Sequence, residues 1–120
     1  MPPTRRTEPA AGQAALATWR ADSAAVDRVT LATAVRFTLE QLAARAPGHT
    51  LEVRVPPYGV TQCLQGPRHT RGTPPNVIET DAETWLALAT GVLSWQQALQ
   101  SGAVHASGER ADLTGLLPVG

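Results

Sequence analysis

This chain of 120 residues predicts an α+β fold: an antiparallel sheet of four or five strands with helices packed on one side of it. Three observations lead there. Thr50 to Val55 alternates apolar and polar residues, the period of a half-buried strand. Arg28 to Ala46 carries apolar residues at helical spacing along its length. The segment from Asn76 to Leu117 is divided by caps and glycines into a strand, two short helices, a second strand and a last helical turn.

Taken in order, residues 1–8 are expected to form a disordered tail, with residues 9–120 as a single domain. Pro9 suits a first helical turn, and Ala10 to Ala21 favours helix, with Ala15, Leu16 and Trp19 on one face. Asp27 is placed to cap the long helix over 28–46. Its buried side is read as Leu31, Ala34, Val35, Leu39, Leu42 and Ala46, and its wet side as Arg36, Glu40 and Arg45. The spacing also predicts surface pairs Arg36–Glu40 and Gln41–Arg45. Pro47-Gly48 stops the helix.

In the strand over 50–55, Leu51, Val53 and Val55 share one face. After Pro56-Pro57, Tyr58 to Leu64 reads as a second strand, with Tyr58, Val60, Gln62 and Leu64 on one face and Thr61 and Cys63 on the other. So short a connection implies antiparallel neighbours. Residues 66–75 are a polar, turn-rich loop. Val77 to Glu79 is the next strand, followed by Thr80-Asp81-Ala82-Glu83, a capping-box pattern opening a helix that ends at Gly91. Ser94 to Gln97 repeats that pattern for a helix ending at Gly102. Ala103 to Ser107 is a strand candidate, and Asp112 caps the final turn through Leu117.

Composition narrows the function. Ten basic and ten acidic residues give zero formal net charge, which argues against a general nucleic-acid binder needing a basic surplus. Cys63 is the one cysteine, so no disulfide can form within the chain, and a reducing, cytoplasmic location fits. The N-terminal sequence lacks the apolar core of a signal peptide, and no run approaches the roughly 20 apolar residues of a membrane span. A soluble protein is expected.

The segments D-A-E-T-W-L-A-L-A-T-G-V-L, A-L-Q-S-G-A-V-H-A-S-G and D-L-T-G-L-L, in this order, resemble the C-terminal half of the sterol carrier protein type 2 fold. With G-P-R-H-T-R-G-T-P-P-N-V and A-V-R-F-T-L-E-Q-L-A added, the whole chain is similar to a family of small bacterial stand-alone sterol-carrier-like proteins. The resemblance implies non-catalytic binding or carriage of a lipid, sterol or other apolar small molecule in a pocket between sheet and helices. It also implies five strands, of which four are legible; the remaining one would fall at G-P-R-H-T-R-G.

The residues that would line such a pocket are Trp85, Leu86, Leu88, Leu93, Trp95, Leu99, Leu113, Leu116 and Leu117. The bland alternative is that they are helix faces required by any core. An apolar ligand of about 28 heavy atoms at roughly 0.3 kcal/mol per atom gains about 8 kcal/mol, a micromolar dissociation constant, without any special residue. Arg68, His69 and Arg71 form a cationic loop able to grip an anionic headgroup or touch a membrane surface transiently; a solvated loop is the alternative. Trp85 and Trp95 can serve a membrane interface, but filling the groove under the helices is the simpler reading.

Catalysis finds no grouping of residues. Cys63 lies mid-strand with nothing beside it to generate a thiolate, and reads as a structural cysteine. His49, His69 and His105 lack metal-site spacing, and neither metal nor cofactor is expected. Two interaction readings stay open. One is an accessory module partnering an enzyme in trans, since the resembling fold also occurs as a domain of thiol-dependent maleylpyruvate isomerase-like enzymes. The other is a homodimer whose pocket is plugged by its own helix.

Overall fold

The computed structural model describes residues 6–66 and 76–119. Its helices are α1 (Pro9–Ala21), α2 (Arg28–Arg45), α3 (Ala82–Thr90) and α4 (Trp95–Ser101); a single 3₁₀ turn, Ser23–Ala25, joins the first two. The strands are β1 (Leu51–Val55), β2 (Gly59–Cys63), β3 (Asn76–Thr80) and β4 (Val104–Ser107). They form one sheet in the order β2-β1-β3-β4.

The sheet is mixed, which corrects the expectation of a purely antiparallel one. β1 pairs antiparallel with β2, and β3 with β4, but β1 and β3 run parallel, with Leu51 opposite Asn76 and Val53 opposite Ile78. The reason is connectivity. β2 itself carries the chain back, ending with Cys63 opposite Leu51 at the start of β1, so β3, which begins opposite Leu51 on the other side, runs in the direction of β1. Parallel neighbours need a connection that returns to the starting end, and β2 is part of it here, whereas a tight turn can join only antiparallel ones. The expected further strand at 66–72 falls almost wholly outside the described residues.

One face of the sheet is buried and the other is polar. Leu51, Val53, Val55, Cys63 and Ile78 are buried, and the register places Cys63 beside Leu51 and Ile78 beside Val53. On β2 the inward set is Gly59, Thr61 and Cys63; Val60 points outward, 59% exposed. The outer face carries Glu52, Arg54 and Glu79, joined by two contacts of Arg54, at 2.6 Å to Glu52 and 4.0 Å to Glu79.

α2 lies against β2 and is flanked by α1 and α3. Asp27 caps it, its side chain accepting from the Thr30 N–H at 2.7 Å. Phe37 and Thr38, not assigned to the apolar stripe from spacing, are buried with it. Phe37 faces α1 at Gly12, where an added Cβ would overlap the Phe37 ring. Gly12 therefore sets how closely the two helices approach.

The surface pairs expected on α2 do not form. Glu40 instead accepts from the Thr7 backbone N–H at 2.9 Å, Arg36 Nε donates to the Tyr58 carbonyl at 3.4 Å, and Arg45 Nη1 donates to the Pro118 carbonyl at 2.7 Å. Each long side chain reaches a backbone group on another segment in preference to its exposed helical neighbour, whose attraction is worth only a few tenths of a kcal/mol.

The cap of α3 also differs from expectation. Its N-cap is Asp81, which accepts from the Thr84 N–H at 2.8 Å and the Thr84 hydroxyl at 3.0 Å. Thr80 is still in β3 and donates its hydroxyl to the Ala103 carbonyl, while Glu83 takes the Trp19 indole N–H at 3.0 Å. Both members of the anticipated box are thus engaged in tertiary bonds.

Replacement of Gly12 by Ala has two opposed effects. Removing a helix-interior glycine contributes up to about 1 kcal/mol of stability. Forcing a methyl group into the buried Phe37 ring costs about 1–3 kcal/mol. The steric term wins, so Gly12→Ala should lower the urea midpoint with an unchanged slope, and Gly12→Ala combined with Phe37→Leu should recover part of the loss.

Candidate functional site

The largest assembly of expected pocket residues lies where the α3–α4 corner meets the C-terminal segment. α3 ends at Gly91 in a left-handed cap (φ 85°), the conformation that glycine adopts without a Cβ penalty. The chain turns there and re-enters helix at Ser94. The predicted capping box is present: Ser94 Oγ accepts from the Gln97 N–H at 3.1 Å, and Gln97 Oε1 accepts from the Ser94 N–H at 3.0 Å. This fixes Leu93 and Trp95 on either side of the cap.

The opposite wall is the segment after β4. Here the expected helical turn from Asp112 is replaced by two tight turns. Asp112 Oδ1 accepts from the Thr114 N–H at 2.9 Å and the Thr114 hydroxyl at 2.6 Å, and the Leu116 N–H reaches the Leu113 carbonyl at 3.0 Å. Gly115, at φ 82°, takes the chain out of helical conformation. The end of the segment is fastened to the helices: the Val119 N–H bonds the Ala89 carbonyl at 3.0 Å, beside the Arg45 bond to Pro118.

Between these walls is a cleft of about 320 Å³, lined among others by Leu88, Leu93, Trp95, Leu113, Leu117 and Pro118. That volume is at the lower end of small-molecule sites. A second cleft of about 410 Å³ continues along α4 past Leu99 and Gln100 to Ala111 and Asp112. Trp95, Gln96 and Thr114 belong to both. No strand residue lines either one.

The structure thus brings Leu88, Leu93, Trp95, Leu113 and Leu117 together, with Leu99 in the adjoining cleft at 42% exposure. Trp85 and Leu86 line neither; both are fully buried, and the Trp85 indole N–H is committed to the Thr38 hydroxyl at 2.8 Å. Leu116 packs half-buried against the core, also outside both clefts. Arg68, His69 and Arg71 lie outside the described residues. Sequence reasoning missed Gln96, Gln100, Asp112, Thr114 and Pro118 as wall residues. In the sequence Asp112 and Ser94 read only as caps, and nothing local says that Pro118 returns to α3.

A third hollow, about 460 Å³, lies on the outer face of the sheet against Pro56, Pro57, Tyr58 and Val60. Its floor holds Glu52, Arg54 and Glu79, and burying those charges under an apolar ligand would cost far more than the ligand's contacts return.

Among the described residues, no group of three or more His, Cys, Asp or Glu side chains could hold a metal ion. No described helix is long and apolar enough to cross a membrane. His49 Nδ1 stands 2.8 Å from Gln62 Oε1 on the exposed side of the sheet. Cys63 is buried in the core, and burial pushes its thiol up to about 11.

A family model described as "Bacterial SCP ortholog" matches residues 27–119. No curated protein matches the sequence.

The Cys63 thiol should resist a disulfide-exchange reagent at pH 8 in the native protein and react only after unfolding. Its folded-state pKa lies above the ordinary value of 9.0, because the interior disfavours the thiolate. The stability it contributes is therefore complete below about pH 9 and is lost as pH rises toward 11, where the unfolded chain has already released its proton. Chemical unfolding at pH 8 and pH 10.5 should show this loss, and Cys63→Ala should remove the part due to the thiol.

Proposed function

Taking as premise that the chain belongs to the bacterial sterol carrier protein (SCP) ortholog family, we propose that it binds, without catalysis, a lipid, sterol or other apolar small molecule in the cleft between the α3–α4 corner and the C-terminal segment. The observation that carries this reading is the convergence of Leu88, Leu93, Trp95, Leu113 and Leu117 from three separate segments on one hollow of about 320 Å³. Leu88, Trp95 and Leu113 are buried as its floor, and Leu93 and Leu117 are half-buried beside it. The adjoining cleft lengthens the site along α4, as an elongated ligand needs.

Native mass spectrometry of the protein as purified, followed by organic extraction, tests the proposal directly. A stoichiometric adduct that extracts as one lipid class supports it. A clean unliganded mass, with no uptake of an added long-chain alcohol or sterol, overturns it. Leu117→Asp, which places a charge in the cleft wall, should weaken uptake about tenfold or more, because the carboxylate must be desolvated on binding.

A further inference from the structure

The two clefts along α4 share Trp95, Gln96 and Thr114, so they form one groove with two arms. The arms differ in chemistry. To the shared Gln96 and Thr114 the inner arm adds four leucines, Ser94 and Pro118, while the outer arm adds Leu99, the Gln100 amide and the Asp112 carboxylate. Asp112 is the one charged residue lining either arm; no Lys, Arg or His does so among the described residues. The Thr114 hydroxyl and backbone N–H, with a smaller contribution from the Trp95 indole, hold the Asp112 carboxyl below its ordinary value, so it is ionised at neutral pH. Both Thr114 bonds fall on Oδ1, and the carboxylate, on an exposed residue, is open to the groove.

We propose that this groove takes amphiphiles with an uncharged hydroxyl or a cationic amine as head group, in preference to free carboxylate or phosphate heads, and that Asp112 sets the preference. This rests on the carrier reading above and adds the polarity of the ligand to it. An apolar chain in the inner arm places the head in the outer arm, beside Asp112. A hydroxyl or ammonium donates a hydrogen bond to the Asp112 carboxylate; a carboxylate head is an acceptor only and meets a like charge. The glutamine amides serve a hydroxyl as donor or acceptor.

Hexadecan-1-ol, hexadecylamine and hexadecanoic acid share one chain and differ in the head, and a 3-hydroxysterol tests the same head on another body. Titrated at low salt and neutral pH, the alcohol and the amine should bind about fivefold tighter than the acid, the scale expected of a partly exposed charge contact. The difference should shrink in high salt. Asp112→Asn keeps an oxygen to accept from Thr114 and should bring the acid to the alcohol's affinity. Equal binding of acid and alcohol by the natural chain, or tighter binding of the acid, overturns the head-group inference and leaves the carrier reading intact. Failure of all four ligands to bind overturns both. Should the variant not fold, the salt series on the natural chain decides: a discrimination insensitive to salt overturns the role of the Asp112 charge.

Discussion

The Trp85 indole N–H, buried without access to water, must have a partner inside the protein, and the Thr38 hydroxyl at 2.8 Å is that partner. An indole buried without its hydrogen bond would cost on the order of 1–3 kcal/mol. Thr38 is in turn held by donating back to the Ala34 carbonyl of its own helix at 2.8 Å. This one chain of bonds fixes the rotation of α3 on α2. The apolar sheet face of Leu51, Val53, Val55 and Ile78 is then covered from one side, and the other helices take their places from there. Trp19 repeats the device at the periphery, where its indole N–H reaches Glu83 and ties α1 to α3.

With α3 held in this way, its C-terminal end becomes the anchor for the rest of the chain. Gly91 and the Ser94 capping box turn the polypeptide sharply into α4. The last residues come back to Ala89 and Arg45, leaving the groove between the outgoing and returning segments. Its walls are fastened by backbone and side-chain hydrogen bonds, among them those of Gly91, Ser94, Thr114 and Pro118, which leaves the leucine side chains to line the cleft. A family of sterol-carrier-like proteins is the setting in which such a groove is naturally understood. The distribution of charge reinforces this placement: the outer sheet face keeps Glu52, Arg54 and Glu79 in water, while the groove is apolar at one end and singly charged at the other.

Much of the fold and part of the site were legible in advance, and particular residues show why. The Ser94 box, the left-handed caps at Gly91 and Gly102, the Asp27 cap and the Leu51, Val53, Val55 alternation all came through. Leu88, Leu93, Trp95, Leu113 and Leu117 were legible as apolar faces, and they do meet. Their polar companions Gln96, Gln100 and Asp112 were not, because a polar residue on a short helix or turn looks the same whether it faces bulk water or a groove. Thr80 and Glu83 fitted a capping box as well as Ser94 and Gln97 do; Trp19, remote in sequence, and Ala103 claimed them instead.

The sequence by itself determined the order of the four helices and four strands, most of their limits to within a residue or two, and the apolar side of β1, though not the cap of α3, the turns after Asp112 or the burial of Phe37 and Thr38. Those properties rest on interactions within three or four residues, or on a periodicity that each segment carries alone. Only the tertiary structure decided that β1 and β3 run parallel, that Gly12 sits on Phe37, and that Pro118 returns to α3 to make a groove beside α4. Each of these joins segments far apart along the chain, where the choice among competing partners is made by the packing of the whole and not by any local signal.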